Sequence, residues 1–205
     1  MILNGNITSI LKTTYPIIQA PMLGVTSPEM VAAVSNEGGL GSLPVGGLSP
    51  EITRQLIRQT KVLTNKPFSV NLFAHEIPAY NLEEVEAMRH LLLQLASKRG
   101  YAPSATDMND FRFYNHLNQI DILVEEGVPI VSFTFGCLDT KSIQRLKQKG
   151  CILIGTATCV EEAVYLQQQN IDLIVVQGLE AGGLEVHLLT VLHFRRSDYF
   201  PCCRR

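Results

Sequence analysis

Ile171-Asp172-Leu173-Ile174-Val175-Val176, running into Gln177-Gly178-Leu179-Glu180-Ala181-Gly182-Gly183, decides how this 205-residue chain is expected to fold. A strand buried on both faces of a parallel sheet reads as a near-continuous Ile/Val/Leu run. This one ends in an amide, an acid and a pair of glycines. Glycines at such a point let the backbone approach a phosphate or a flat ring system, because no Cβ stands in the way. The stretch reads as a strand that delivers a ligand site at its C-terminal end.

The same grammar extends back toward the N-terminus. Strands are expected over 16–19, 40–43, 67–73, 129–133 and 151–155, which with 171–176 makes six. Between them lie helix signals. Ser27 with Pro28, and Ser49 with Pro50, are a capping hydroxyl followed by a proline at the first helical position. Gly38-Gly39 closes the first of these helices, Asp139 caps another, and Gly150 ends it. The connection between the third and fourth strands is long and carries helical patterns over 82–98 and 109–126, a helical insertion. Strands alternating with helices at this spacing imply right-handed parallel crossovers and an α/β architecture. Polar residues and glycines recur where the strands end, the side on which such sheets place their ligands.

Composition narrows the function. Hydrophobic residues make up 46% of the chain, enough for a sizeable core, and the net charge of −2 gives no basic field for nucleic acid or an anionic membrane. No apolar run is long enough to span a bilayer, and the first residues lack the pattern of a secretory leader. The five cysteines form no Cys-x-x-Cys spacing, so neither a disulfide framework nor a metal site is expected, and reduced thiols fit a cytoplasmic location.

Seven motifs occur in order: Gln19-Ala20-Pro21-Met22-Leu23-Gly24, Gly38-Gly39-Leu40-Gly41, Leu48-Ser49-Pro50-Glu51, Lys66 to Phe73, Val131-Ser132-Phe133-Thr134-Phe135-Gly136, Gly155-Thr156-Ala157-Thr158 and Gln177 to Gly183. Together they resemble the nitronate monooxygenase family, also known as 2-nitropropane dioxygenases, over about residues 17–183. The resemblance implies an FMN-dependent TIM (β/α)8 barrel that oxidises alkyl nitronates with O2. About six of its eight βα units are recognisable here, a partial barrel. It also implies the site: Ala20, Pro21 and Met22 along the flavin, Asn71 and Gln177 bonding it through their amides, and Gly182 with Gly183 letting the backbone near its phosphate. Amides both donate and accept, and backbone N–H groups hold phosphate without a side chain.

The resemblance also exposes departures. Where the family places a histidine as general base, directly after the paired glycines, this chain has Leu184. His187, three residues on, is a weak substitute. From Leu184 the alternation of strands and helices stops, and Arg, Cys and aromatic residues become dense. The expectation is a frameshifted or truncated copy, with residues 1–183 forming an incomplete FMN-binding domain and 184–205 lying outside the fold. Such a copy would be catalytically impaired. Two alternatives are an FMN-dependent enoyl-acyl-carrier-protein reductase, which would use NAD(P)H, and a non-catalytic remnant. The remaining candidates read more simply as structure: His75 as an exposed loop residue, His90 and His116 as helix surface, and Cys137 as a bystander thiol.

Overall fold

Short aliphatic runs bounded by glycine and proline become five parallel strands: β1 Gly41–Pro44, β2 Phe68–Phe73, β3 Ile130–Thr134, β4 Ile152–Ala157 and β5 Leu173–Val176. The computed structural model describes residues 6–77, 81–101, 112, 114–178 and 180–182. Strand order in the sheet is the order in the chain, β1-β2-β3-β4-β5. A doubly wound sheet would reverse direction partway; this one does not, which is the arrangement of a TIM-barrel wall. The expected strand over 16–19 is reduced to one parallel bridge, Ile18 beside Leu40. Leu40 donates to Ile17 O and accepts from Gln19 N, each at 2.9 Å. Pro16 and Pro21 have no N–H, so the ladder cannot lengthen in either direction.

The helices are α1 Asn6–Leu11, α2 Pro28–Asn36, α3 Pro50–Leu63, α4 Leu82–Lys98, α5 Leu117–Glu125, α6 Thr140–Gln148 and α7 Val160–Gln168. Ser27 accepts from Met30 N, Ser49 from Ile52 N, and Asp139 from Lys141 N and Ser142 N, satisfying donors that the first turn leaves free. The helical pattern expected over 109–126 begins only at Leu117 among the described residues; 109–111 and 113 lie outside them. Two compact units result, one holding all five strands and the other, between residues 76 and 113, holding α4.

Each strand presents two different faces. Leu43, Val45, Val70, Leu72, Val131, Phe133, Leu153 and Ala157 are buried in one cluster with Val31, Ile57, Leu123, Leu146 and Leu166 from the helices. On the other face, Leu11 and Ile7 of α1 pack with Leu40, Ile130, Ile152, Ile154 and Leu173. These strand residues lie toward the strand N-termini. The short α1, absent from the sequence expectations, therefore seals the lower part of the inner face. Six residues are too few to show a helical period. Further along the same inner face the side chains turn polar: Ser42, Ser69, Asn71, Ser132, Thr134 and Thr156. The Ser42 and Ser69 hydroxyls bond each other at 2.6 Å.

Asp139 also accepts from the Ser142 hydroxyl at 2.5 Å and faces His116 Nε2 at 3.3 Å. Desolvation would raise its carboxyl, but the Ser142 hydroxyl and amide and His116 outweigh that and hold it below the ordinary aspartate value. A depressed carboxyl stabilises the fold fully above its unfolded value of about 3.9, and that contribution is lost as pH falls from there through the lowered folded value. Asp139→Ala should cost about 1 kcal/mol at neutral pH. Urea melts at pH 7 and pH 3 should show the difference from the parent shrinking at the lower pH.

Candidate functional site

Asn71 sits near the C-terminal end of β2, side by side with Pro44 on β1 and Ser132 on β3. It is only 3% exposed. Its Nδ2 donates to Ser132 Oγ at 3.0 Å, so the amide bridges two strands across the inner face instead of capping a strand end. Alternation along β2 puts Ser69, Asn71 and Phe73 on this face, one above the other. An amide and three hydroxyls (Ser132, Thr134, Thr156) thus line the upper inner face of a sheet whose lower half is aliphatic.

Ala20, Pro21 and Met22 lie at the same end, beyond the edge of β1. Thr26 folds their loop: its Oγ1 accepts from Gln19 Nε2 at 3.1 Å and from Met22 N at 3.2 Å. Ala20 and Met22 remain exposed, and Gln19 Oε1 is buried with no hydrogen-bond partner in the protein. At the opposite edge, Gln177 follows β5 directly, its N–H donating to Ala157 O at 2.9 Å. Strand order therefore gathers the expected residues at one end of the sheet, with Asn71 between two flanking groups. Gly182 has nothing within 4 Å of where a Cβ would stand, so packing inside the protein does not require a glycine there. Gly183, Leu184 and His187 lie outside the described residues.

These features are compatible with a flavin. Helices α2, α3, α5, α6 and α7 run back along the parallel sheet from this end, so the positive ends of their dipoles lie there, which favours a phosphate. The amides of Asn71 and Gln177 and the unmatched Gln19 carbonyl supply donors and acceptors for a heteroaromatic ring.

An aromatic group above the amide was not foreseen. Phe73 and Phe135 meet edge to face, with ring centroids 5.0 Å apart at 78°, and the His75 ring lies 6.0 Å from Phe73. Gly46 makes room: a Cβ there would fall 2.4 Å from Phe73 Cγ. Gln119 of α5, fully buried, fixes the loop carrying Gly46 by donating to Val45 O at 2.5 Å and Leu48 O at 3.0 Å. The motifs contained both phenylalanines, but a ring contact between two strands has no signature in either strand alone.

His116 is corrected from helix surface to interior, 6% exposed at the start of α5 and paired with Asp139. Cys137 follows β3 and its thiol is pushed up to about 11, by burial and then by the Asp139 carboxylate. It should react with iodoacetamide at pH 8 far more slowly than an unhindered thiol, since the thiolate is the nucleophile. Mass mapping of the alkylated cysteines after a short exposure checks this. Among the described residues no group of His, Cys, Asp and Glu is arranged to hold a metal, and no helix is long and apolar enough to cross a membrane.

Residues 4–191 match the family model described as nitronate monooxygenase. The chain is 40% identical over 183 residues to a probable nitronate monooxygenase of Staphylococcus saprophyticus, covering 89% of this chain and 51% of that protein. It is 39% identical over 177 residues to a nitronate monooxygenase of Pseudomonas aeruginosa, covering 86% and 50%. The chain thus spans about half the length of the curated relatives it matches. Among solved structures, nitroalkane oxidase from Streptomyces ansochromogenes superposes with a TM-score of 0.74 at 33% identity, over 95% of this chain and 53% of that one. FabK from Thermotoga maritima gives 0.61 at 25% identity, over 89% and 47%.

Proposed function

The chain belongs to the nitronate monooxygenase family, and from that premise we propose that it binds FMN and oxidises small alkyl nitronates with O2. The observation that carries this reading is the Asn71–Ser132 bridge on a polar inner face, at the end of the sheet where the Gln19–Met22 loop and Gln177 also lie. Asn71 and Gln177 hold the flavin ring through their amides. The Gln19–Met22 loop, fixed by Thr26, flanks it, and the backbone at Gly182 and Gly183 approaches the phosphate. When bound, FMN supplies the redox chemistry, accepting electrons from the substrate and passing them to O2.

The protein's own contribution is position and proton control. A nitronate arrives with its carbon acid already ionised, so it needs binding and orientation but no base. A neutral nitroalkane must first lose a proton, and a leucine at position 184 accepts none. We infer an enzyme impaired toward the neutral acid and less so toward the anion. Titrating FMN into the purified chain and following O2 uptake with propyl-1-nitronate tests the reading. Saturable flavin binding with nitronate-dependent uptake supports it; no flavin binding ends it.

The second reading is the enoyl-thioester reductase alternative raised by the sequence, which would use a nicotinamide. Rapid bleaching of bound flavin by NADPH without nitronate would favour that reading.

A further inference from the structure

We propose that the Phe73–Phe135 pair is the apolar wall that grips the alkyl group of the substrate and sets its preference for chain length, an inference that rests on the nitronate-oxidising reading above. Phe73 stands two residues beyond Asn71 on the same face of β2, next above the amide assigned to the flavin. Both rings are half-buried, neither part of the helix-side core nor free in solvent.

Their placement is held from several directions. Phe73 leans on Gly46, where any Cβ would collide with the ring. Phe135 has φ +61°, left-handed backbone that a phenylalanine seldom adopts. Gly136, beside it, leaves no room for a side chain: a Cβ would lie 2.7 Å from Ala74 O. Ala74 in turn donates to Thr134 O at 2.9 Å, tying the two strand ends together. Glycine or asparagine would satisfy the turn at position 135 better than phenylalanine. Folding alone therefore does not call for a ring there, whereas an apolar wall does. His75 and the Thr134 hydroxyl border the rings with polar groups, leaving an apolar surface beside a polar one. That combination suits a molecule with an anionic head and an alkyl tail.

Straight-chain carboxylates from propanoate to heptanoate share the planar anionic head of a nitronate but cannot be oxidised, so they report binding alone. Their dissociation constants would be read from the visible spectrum of the FMN-loaded chain. In the parent, affinity should rise with length, by up to about fourfold per methylene. In Phe135→Gly, which relieves the left-handed backbone and so preserves folding, the rise should flatten to less than about twofold across the series, with FMN affinity measured beforehand unchanged. Phe73→Leu should give an intermediate slope. A flat series in the parent overturns the inference, as does an undiminished slope in Phe135→Gly. An Phe135→Gly chain that loses FMN affinity also overturns it, because the rings would then pack the flavin. Failure of the parent to bind FMN at all appears before any carboxylate is added; it sinks the nitronate reading and this inference with it.

Discussion

Replacing Leu184 with histidine should raise turnover of neutral 1-nitropropane by about 10²–10⁴ while changing turnover of the preformed nitronate far less. The asymmetry follows from where the proton is. Withdrawing it from carbon is a step the neutral acid must pass and the anion has already passed, so a positioned imidazole accelerates only the first. Oxygen uptake with each form, measured promptly after dilution from acid or base, separates the two rates. Equal rates on both forms in the parent would refute the assignment of position 184 as the site of the base. So would a Leu184→His chain whose gain is the same for acid and anion. His187→Ala should leave both rates as they are; a selective loss on the neutral acid would move the role to His187.

Gly41→Ala should cost the fold about 3 kcal/mol, the upper part of the range for forcing a methyl into packed structure. A Cβ at Gly41 would stand 2.2 Å from Val31 O and 2.8 Å from Val31 Cγ1, with Ser35 Oγ at 2.9 Å. The nearest atom is helix backbone, which cannot swing aside as a side chain can, so α2 would have to lift from β1. Ser35 Oγ, which accepts from Gly41 N at 3.1 Å, would lose its place as well. The melting temperature should fall by about 6–12 °C for a chain of this size. Gly47→Ala is the control: φ is +78° with nothing within 4 Å, so only backbone strain of about 1 kcal/mol should appear. Equal melting temperatures for the two variants would show that the α2–β1 contact yields more readily than its geometry implies.

Parallel α/β order was legible because its signals are local. Ser27-Pro28, Ser49-Pro50 and Asp139 announce helix starts through chemistry contained in a few residues, and all three caps form. Motif resemblance singled out Asn71 and Gln177, and the structure puts both at the same end of the sheet. The features that escaped depend on residues far apart in sequence. Gln119 reaches loop carbonyls 71 and 74 positions away, and nothing around it marks it as buried. Glu126, with a side chain 9% exposed, is held by Arg54 and Arg58 at 2.9 Å, tying the end of α5 to α3. His116 looked like helix surface because its partner, Asp139, lies across an intervening strand. Only tertiary structure makes such pairs.

Strand order also bears on how the chain comes together as it leaves the ribosome. Every strand bonds the one made just before it, so each arriving segment finds a finished template and none waits for a later one. The exception in pace is the junction of β2 and β3, where Ser69 pairs with Ile130. Those residues are roughly sixty positions apart, against roughly twenty-seven and twenty-two for the pairings on either flank, a loop-closure penalty larger by about 0.7–0.9 kcal/mol. Docking of β3 on β2 should therefore be the slowest pairing, and splicing out residues 76–113 with a short glycine-serine bridge should quicken refolding of the five-stranded unit.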